Sequence, residues 1–421
     1  MSDQPRLTFL GKLAMLFFVA ACFAGAYFLW KTTSGSGGQS GGGVSGGGNS
    51  PAGAGNAPGP GTNGGGNQPA SSARTQTADR VKIGIAYGTE KRTWLTWAVE
   101  QFEQTKEGKE IEVKLIPLGS IEAAHAIVKG DTNINVWSPA SSLYRYQLAD
   151  EWKMKNSTEV IAKVEPLALT PMVFVFWDER YEQFAAKYKD ASFRTIAKAL
   201  AEPGGWGAIA KREDWGLFKF GHTHPNQSNS GLMTLVLEAQ DYHNKSTPLT
   251  LGDITGAEFQ TWTAGLWRGA SGLSNSTGNM MREMVQRGPS TYDALFVYES
   301  TAIDFLKSAE GRWGKLRVVY PARNVWNDNP YYVLNVPWSS LQQRKASEQF
   351  LTFLLSDHVQ RQALVHGFRP ANVTVPINEP SSPFTLYASY GLKIDMTTVC
   401  DHPPPEVISN LLLSWQRVRP N

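Results

Sequence analysis

Sixteen of the chain's 40 glycines are crowded between Gly35 and Gly66, and no compact fold can be built from such a stretch. Residues 34–79 are dominated by Gly, Ser, Asn, Ala and Pro. They cannot bury enough apolar surface to offset the entropy of ordering them. The stretch reads as a disordered linker with an r.m.s. span of roughly 35–40 Å, and it divides the 421-residue chain into three parts. Within it, Gly43-Val44-Ser45-Gly46-Gly47 fits the G-x-S-x-G hydrolase pattern. That match carries no weight, because the strand, sharp turn and helix that the pattern requires are missing around it.

Residues 13–30, ahead of the linker, contain no charged side chain. As a helix they would be about 27 Å long, close to the ~30 Å of a bilayer's hydrocarbon core. Arg6 and Lys12 precede this run and only Lys31 follows it before Arg74. The positive-inside tendency therefore places the N-terminus in the cytoplasm and everything beyond the run outside it. Residues 1–33 read as a cytoplasmic N-terminus with a single-pass transmembrane anchor. Two rival readings stay open: lipidation at Cys22, since Val19-Ala20-Ala21-Cys22 has the form of a lipobox, and cleavage after the small residues Ala24-Gly25-Ala26. Against both, Phe23, Tyr27, Phe28, Leu29 and Trp30 prolong the apolar run past either cut. Cys22 and Cys400 are the only cysteines, so no intramolecular disulfide and no thiol-rich metal site is expected.

Residues 80–421 are long enough to bury a core without cross-links. Their acidic and basic side chains nearly cancel, in a chain of formal net charge +3. A protein that neutralises many phosphates needs a basic excess, so a nucleic-acid binder is disfavoured. Apolar runs predict strands at 81–86, 111–116, 133–137, 217–220, 295–298, 316–320 and 331–336, with a longer run at 167–177 that crosses between two lobes. Between them, apolar residues at helical spacing, such as Trp94, Trp97, Ala98 and Phe102, predict helices. Such alternation predicts an α/β fold with mainly parallel sheets.

Ligands of such sheets bind beyond the carboxyl ends of strands, where helix N-termini present free N–H groups. The residues at those ends are Gly88-Thr89, Gly119-Ser120, Ser138-Pro139-Ala140-Ser141-Ser142, the run from Gly221 to Gly231, and Tyr298-Glu299-Ser300-Thr301. Ser138-Pro139 reads as an N-cap with proline in the first helical position. Hydroxyls and amides abound at these ends while acids and bases are few, which suits recognition better than proton transfer. Any one hydroxyl alone is accounted for by a plain helix cap; the run Asn226-Gln227-Ser228-Asn229-Ser230-Gly231 exceeds what one cap needs.

Sharper chemistries find less support. His222 and His224 lie on one face if extended and could hold zinc, but no third ligand stands nearby, so polar residues at the cleft mouth are the plainer reading. Glu299 has no adjacent carboxylate or histidine with which to act as an acid or base. Trp94, Trp137, Trp206, Trp215 and Trp326 are core candidates first and stacking platforms second. A Walker G-x-x-x-x-G-K-[ST] sequence is absent, so no nucleotide hydrolysis is expected.

The run from Lys345 to Ala371 reads as two helices, the second stopped by Gly367 with Pro370 just beyond. Its pattern Ala346-x-x-x-Phe350-x-x-Phe353-Leu354-Leu355-Ser356, ending in Gly367-Phe368-Arg369-Pro370, resembles a segment of bacterial extracellular solute-binding proteins. These are the type II, two-lobed binding components associated with ABC transporters. Val136-Trp137-Ser138-Pro139-Ala140-Ser141, Ser228 to Gly231, and Leu295-Phe296-Val297-Tyr298-Glu299-Ser300 are also similar to that family, especially its branch beside von Willebrand factor A proteins. The resemblance implies a two-lobed, periplasmic-binding-protein-like α/β fold over residues 80–421. Lobe I would comprise about 80–169 and 300–421, and lobe II about 170–299. It further implies a ligand held in the cleft by Thr89, Ser120, Ser138, Ser141, Ser228, Ser230 and Tyr298, with no cofactor, metal or catalytic residue. The tail after Val375, with Val407, Ile408, Leu411, Leu412 and Trp415 at helical spacing, is expected to pack on a lobe.

The sequence thus predicts a membrane-tethered, extracytoplasmic solute-binding protein that takes a small molecule by lobe closure and works with an ABC-type permease or another membrane protein. A ligand-independent interaction module on the same fold and a cleft hydrolase are the alternatives.

Overall fold

The computed structural model describes residues 80–396 and 398–418. The apolar run 13–30, with its possible lipidation and cleavage points, and the linker 34–79 lie outside the described residues. Among the described residues no helix is long and apolar enough to cross a membrane.

Two five-stranded sheets organise the chain. In the first, Val81–Tyr87 pairs in parallel with Ile111–Pro117 and Val136–Ser138, and Pro330–Leu334 then runs antiparallel to both Val136–Ser138 and Ile161–Pro166. In the second, Met172–Trp177 runs antiparallel to Leu316–Val319 and Ala294–Tyr298, while Phe220–Thr223 is parallel to Ala294–Tyr298 and Gly272–Ser274. The sheets are therefore mixed rather than mainly parallel. Strands within a strand–helix–strand series run parallel, whereas those entering from the other sheet run against it.

Both sheets are covered on both faces, which is why their strands read as continuous apolar runs. In Met172–Trp177 every residue is buried. Val173, Val175 and Trp177 face one cluster, with Leu295, Val297 and Leu306; Met172, Phe174 and Phe176 face another, with Phe193, Phe220 and Phe296. In the first sheet Ile83, Ile85 and Tyr87 meet Trp94, Phe102, Phe350 and Leu354, while Ala86 and Trp137 join Ile127, Leu148 and Trp152 on the opposite side.

Three local expectations shift. The strand placed at 217–220 is Phe220–Thr223, with Leu217 65% exposed ahead of it. Ser138 ends a strand instead of capping a helix; the cap is Ser141, whose Oγ accepts Leu143 N–H at 3.3 Å. The division at residue 300 also moves. Helix Glu299–Glu310 and strand Leu316–Val319 belong with the second sheet, and Val375, Phe384, Tyr390 and Leu392 join the same apolar cluster. The final helix, Pro405–Val418, buries Val407, Leu411 and Trp415 against helices Asn229–His243, Leu251–Thr255 and Ala257–Gly269. The apolar face of Glu299–Glu310, with Ala302, Ile303 and Leu306, is completed by strands of the second sheet, so the chain rejoins the first sheet only at Pro330.

Two of the stretches that carried the family resemblance meet in the interior. Arg369 makes a two-pronged pair with the buried Glu299 carboxylate, Nε to Oε2 at 2.9 Å and Nη2 to Oε1 at 2.8 Å, and Tyr320 also donates its hydroxyl to Oε1. Arg369 further donates to the carbonyls of Lys393, at 2.8 Å, and Ile394. Gly367 makes this approach possible. Its φ is +78°, and a Cβ there would stand 2.8 Å from Ile303 Cβ and 3.0 Å from Ser300 Cα. Removing one member of a buried ion pair leaves the other charged and uncompensated. Glu299→Ala is expected to lower stability by about 3–5 kcal/mol in chemical denaturation. Gly367→Ala should cost at least about 2 kcal/mol by the same measurement, through the left-handed backbone and the contact with Ile303.

Candidate functional site

Between the strand ends of the two sheets lies a cleft of about 1110 Å³. One wall carries Thr89, Glu90, Arg92, Thr93 and residues of helix Ser120–Lys129; the other carries Asn226, Gln227, Asn275, Ser276 and residues of helix Thr277–Arg287. At its inner end is a recess of about 20 Å³ lined by Gly88, Thr89, Glu90, Ser120, Ala140, Ser228, Asn229, Asn275, Ser276, Thr277 and Tyr298, among others. The walls touch here: Thr89 Oγ1 is 3.3 Å from Ser276 Oγ, and a Cβ on Gly119 would lie 2.9 Å from the Gln227 carbonyl.

Three helices begin at this recess: Ser120–Lys129, Asn229–His243 and Thr277–Arg287. Their N-cap residues, Gly119, Ser228 and Ser276, make no side-chain cap bond. An α-helix cannot satisfy its own first-turn N–H groups, so these three starts can serve acceptors in the recess. Helix Asn229–His243 starts so close to its strand because Gly231 lacks a side chain; a Cβ would stand 2.5 Å from the Thr223 carbonyl. A fourth helix, Glu299–Glu310, spends its first N–H groups internally, Glu299 N on Pro171 O and Ser300 N on Thr170 Oγ1.

Of the seven residues singled out from sequence, the structure brings Thr89, Ser120, Ser228 and Tyr298 together around the recess. Ser120 Oγ accepts Ala140 N–H at 3.1 Å, and Tyr298 accepts from Asn229 Nδ2 at 2.9 Å. Burial pushes the Tyr298 phenol far above its ordinary pKa, so it stays a hydroxyl. Ser230 stands one layer behind, 2.9 Å from Ser228 Oγ and 2.6 Å from Thr223 Oγ1. Ser138 and Ser141 are fully buried and do not line the recess; Ser138 serves through its carbonyl, which accepts Gly88 N–H at 3.1 Å.

Residues that the sequence reading passed over complete the site. Asn275, Ser276 and Thr277 form a hydroxyl and amide run between a strand and a helix, the same signal that picked out Asn226 to Gly231. Glu90 is the recess carboxylate, held at 2.5 Å by Lys91, which is fully buried and bonds also to Asn329 Oδ1 at 3.0 Å and Pro139 O at 3.2 Å. Burial pushes the Lys91 ammonium pKa down, opposed by Glu90. In the outer cleft the acids are engaged: Glu122 Oε2 accepts Gly119 N–H at 3.3 Å, and Asp304 faces His366 at 3.9 Å and Thr93 at 3.4 Å. Arg92, Lys129 and Arg282, on the same lining, have no ion-pair partner among the described residues.

His222 and His224 do not sit at the cleft mouth. His222 is buried, its Nδ1 2.8 Å from Thr223 O, and both rings lie edge-on to Trp415 of the final helix. Among the described residues no cluster of three metal-ligating side chains exists. None of Trp94, Trp137, Trp206, Trp215 or Trp326 lines the cleft; the first four are buried, and Trp215 lies under the Arg180 guanidinium at 3.4 Å. Burial lowers the His222 pKa to about 4 from 6.5, so the fold holds the neutral ring. Stability from this residue is present above pH 6.5 and falls as the pH drops towards 4, because the unfolded chain binds the proton first. His222→Gln should remove on the order of 3 kcal/mol of acid sensitivity, read from unfolding free energies between pH 7 and pH 4.

Comparison with known proteins agrees with the fold. No curated protein matches the chain. Maltose-bound MalE3 from T. maritima superposes with a TM-score of 0.55 at 15% identity, over 80% of this chain and 93% of that one. AfuA, a periplasmic binding protein from Actinobacillus pleuropneumoniae with bound fructose-6-phosphate, gives 0.55 at 14%, over 80% and 98%. Iron-bound HitA from Pseudomonas aeruginosa gives 0.53 at 16%, over 81% and 100%. At such identities the likeness speaks for the fold, that of a type II periplasmic binding protein. The family model described as bacterial extracellular solute-binding protein matches residues 83–369, and the chain belongs to that family.

Proposed function

We propose that this protein captures a small anion at the recess between its two sheets, outside the cytoplasm, and delivers it to a membrane transporter of the ABC class. The observation that carries this reading is the convergence of three uncapped helix N-termini on one recess. Each presents free N–H groups and the positive end of a helix dipole, a combination suited to negative charge. Thr89, Ser120, Ser228 and Tyr298 contact the solute, and Ser230 orients Ser228. Arg92, Lys129 and Arg282 draw anions into the cleft by long-range attraction. The two walls close about the segments that cross between the sheets. The solute is bound and released unchanged, since the recess carboxylate, Glu90, is already tied to Lys91. The apolar run 13–30 tethers the protein to the membrane and the glycine-rich segment lets the binding domain range around that anchor.

Thermal unfolding of the full chain in detergent, with inorganic phosphate, sulfate, maltose and an amino acid as probes, tests the reading. An anion at about a hundred times its Kd should add about 2.7 kcal/mol of stability. A response to neutral solutes alone, or to none, would sink it, the latter favouring a protein-interaction module. Replacing Arg92, Lys129 and Arg282 together by alanine should weaken anion binding roughly tenfold at low ionic strength and flatten its salt dependence. The intact mass of the membrane-extracted protein separates a retained anchor from lipidation at Cys22 or cleavage after Ala26.

A further inference from the structure

The recess offers acceptors as well as donors, and the acceptors are held in place by one buried chain of hydrogen bonds. Asn229 is 3% exposed. Its Nδ2 donates to Tyr298 Oη at 2.9 Å and to Asn327 Oδ1 at 2.8 Å. Those two bonds set the orientation of the amide and leave its Oδ1 buried without a partner, on a residue that lines the recess. On the opposite wall stands the Glu90 carboxylate. The two are joined through the interior: Asn329 Nδ2 donates to Asn327 O at 3.0 Å, Lys91 Nζ to Asn329 Oδ1 at 3.0 Å, and Lys91 Nζ to Glu90 Oε1 at 2.5 Å. Neither acceptor can swing away without breaking that chain.

An occupant therefore meets N–H and O–H donors from three helix starts and, at the same time, two fixed acceptors. We propose that the recess selects an oxyanion carrying a hydrogen, of the hydrogen-phosphate class, over a fully ionised one such as sulfate. This inference rests on the anion reading above and narrows it. Sulfate has only acceptors, so it would leave Asn229 Oδ1 unsatisfied and set its own charge against Glu90. A singly protonated tetrahedral anion turns its O–H to one acceptor while its other oxygens take the helix N–H groups. Sites built to bond a ligand's O–H reject analogues lacking it far more strongly than apolar pockets reject a missing methylene. At about 20 Å³ the recess has little more room than a water needs while the walls touch, so a tetrahedral head group enters by parting them, and the cleft above leaves room for an ester substituent.

Titration calorimetry of the full chain in detergent, with inorganic phosphate, sulfate and glycerol 3-phosphate at pH 5.5 and pH 8, is the test. Phosphate is expected to bind at least about 100-fold more tightly than sulfate at both pH values, because it keeps a hydrogen throughout. A phosphomonoester loses its last proton near pH 6. If the occupant is an ester, glycerol 3-phosphate should exceed inorganic phosphate at pH 5.5 and then weaken at least about tenfold by pH 8; if it is the free anion, inorganic phosphate should be the tighter binder at both. Glu90→Gln should shrink the phosphate-to-sulfate ratio below about 10, since an amide can donate to sulfate. Should that variant fail to fold around the buried Lys91, the wild-type ratio decides alone. Sulfate binding as tightly as phosphate would overturn the selectivity while leaving anion capture standing; no anion binding at all would overturn anion capture itself.

Discussion

Three segments of chain cross between the two sheets, and their backbone polar groups are buried where neither sheet can pair them. Unpaired buried N–H and C=O groups cost as much as lost hydrogen bonds, so the crossing has to be satisfied from within. It is. Ala168–Leu169 pairs antiparallel with Arg369–Pro370, and Thr170 bridges to Asn327. Three fully buried asparagines supply the rest. Asn324 takes both the N–H and the C=O of Met172, Asn327 donates to Thr170 O, and Asn329 donates to Ala168 O. An asparagine side chain carries one acceptor and two donors, which lets it stand in for a strand neighbour wherever the ladder stops.

The same asparagines reach the site. Asn327 accepts from Asn229 on one wall, and Asn329 accepts from Lys91 on the other. The crossing is thus continuous, through hydrogen bonds, with both sides of the recess. The Glu299–Arg369 pair closes the arrangement from below: the carboxylate begins the helix after the strand that ends in Tyr298, and the guanidinium belongs to a crossing segment. A buried pair of this kind is weak evidence for net stability compared with apolar packing. Its evident effect is geometric, locking Tyr298 and its neighbours to the chain that leaves the first sheet. The pair thereby joins two stretches that carry the family resemblance far apart in the sequence, around Glu299 and around Arg369.

Much of this was legible beforehand because burial on both faces leaves a strong mark. The strands at 81–87, 172–177 and 294–298 stand out as apolar runs, and Thr89, just past the first, and Tyr298, the last residue of the third, were singled out for that reason. Strand Phe220–Thr223 was misplaced because Gly221, His222 and Thr223 carry no apolar signal; they are buried by helix Asn229–His243 and by Trp415, some 190 residues downstream. The partition at residue 300 failed for a related reason, since nothing local distinguishes a helix returning to one sheet from one lying on the other. Asn275 to Thr277 were missed although their composition matched the Asn226 to Gly231 run, because the strand before them, Gly272–Ser274, is too short and too little buried to announce itself. Lys91 and Glu90 could not have been found by composition at all. A buried lysine looks like any other until the asparagines that receive it are folded alongside.

The near neutrality of the domain now has a physical sense on the proposed reading. Attraction by net charge acts over a Debye length of about 8–10 Å and does not distinguish one anion from another. The field of a helix N-terminus fades within its first turn, so it acts only on a solute in contact with it. Three such termini can act on one small anion only if both walls reach contact distance from it, and the 3.3 Å approach of Thr89 to Ser276 puts them near that limit before any solute enters. Affinity then depends on the approach of the walls, and a wall held apart binds poorly however many cations surround it. On that reading the cations of the outer cleft bring the solute near, and the helix starts and the fixed acceptors decide whether it stays.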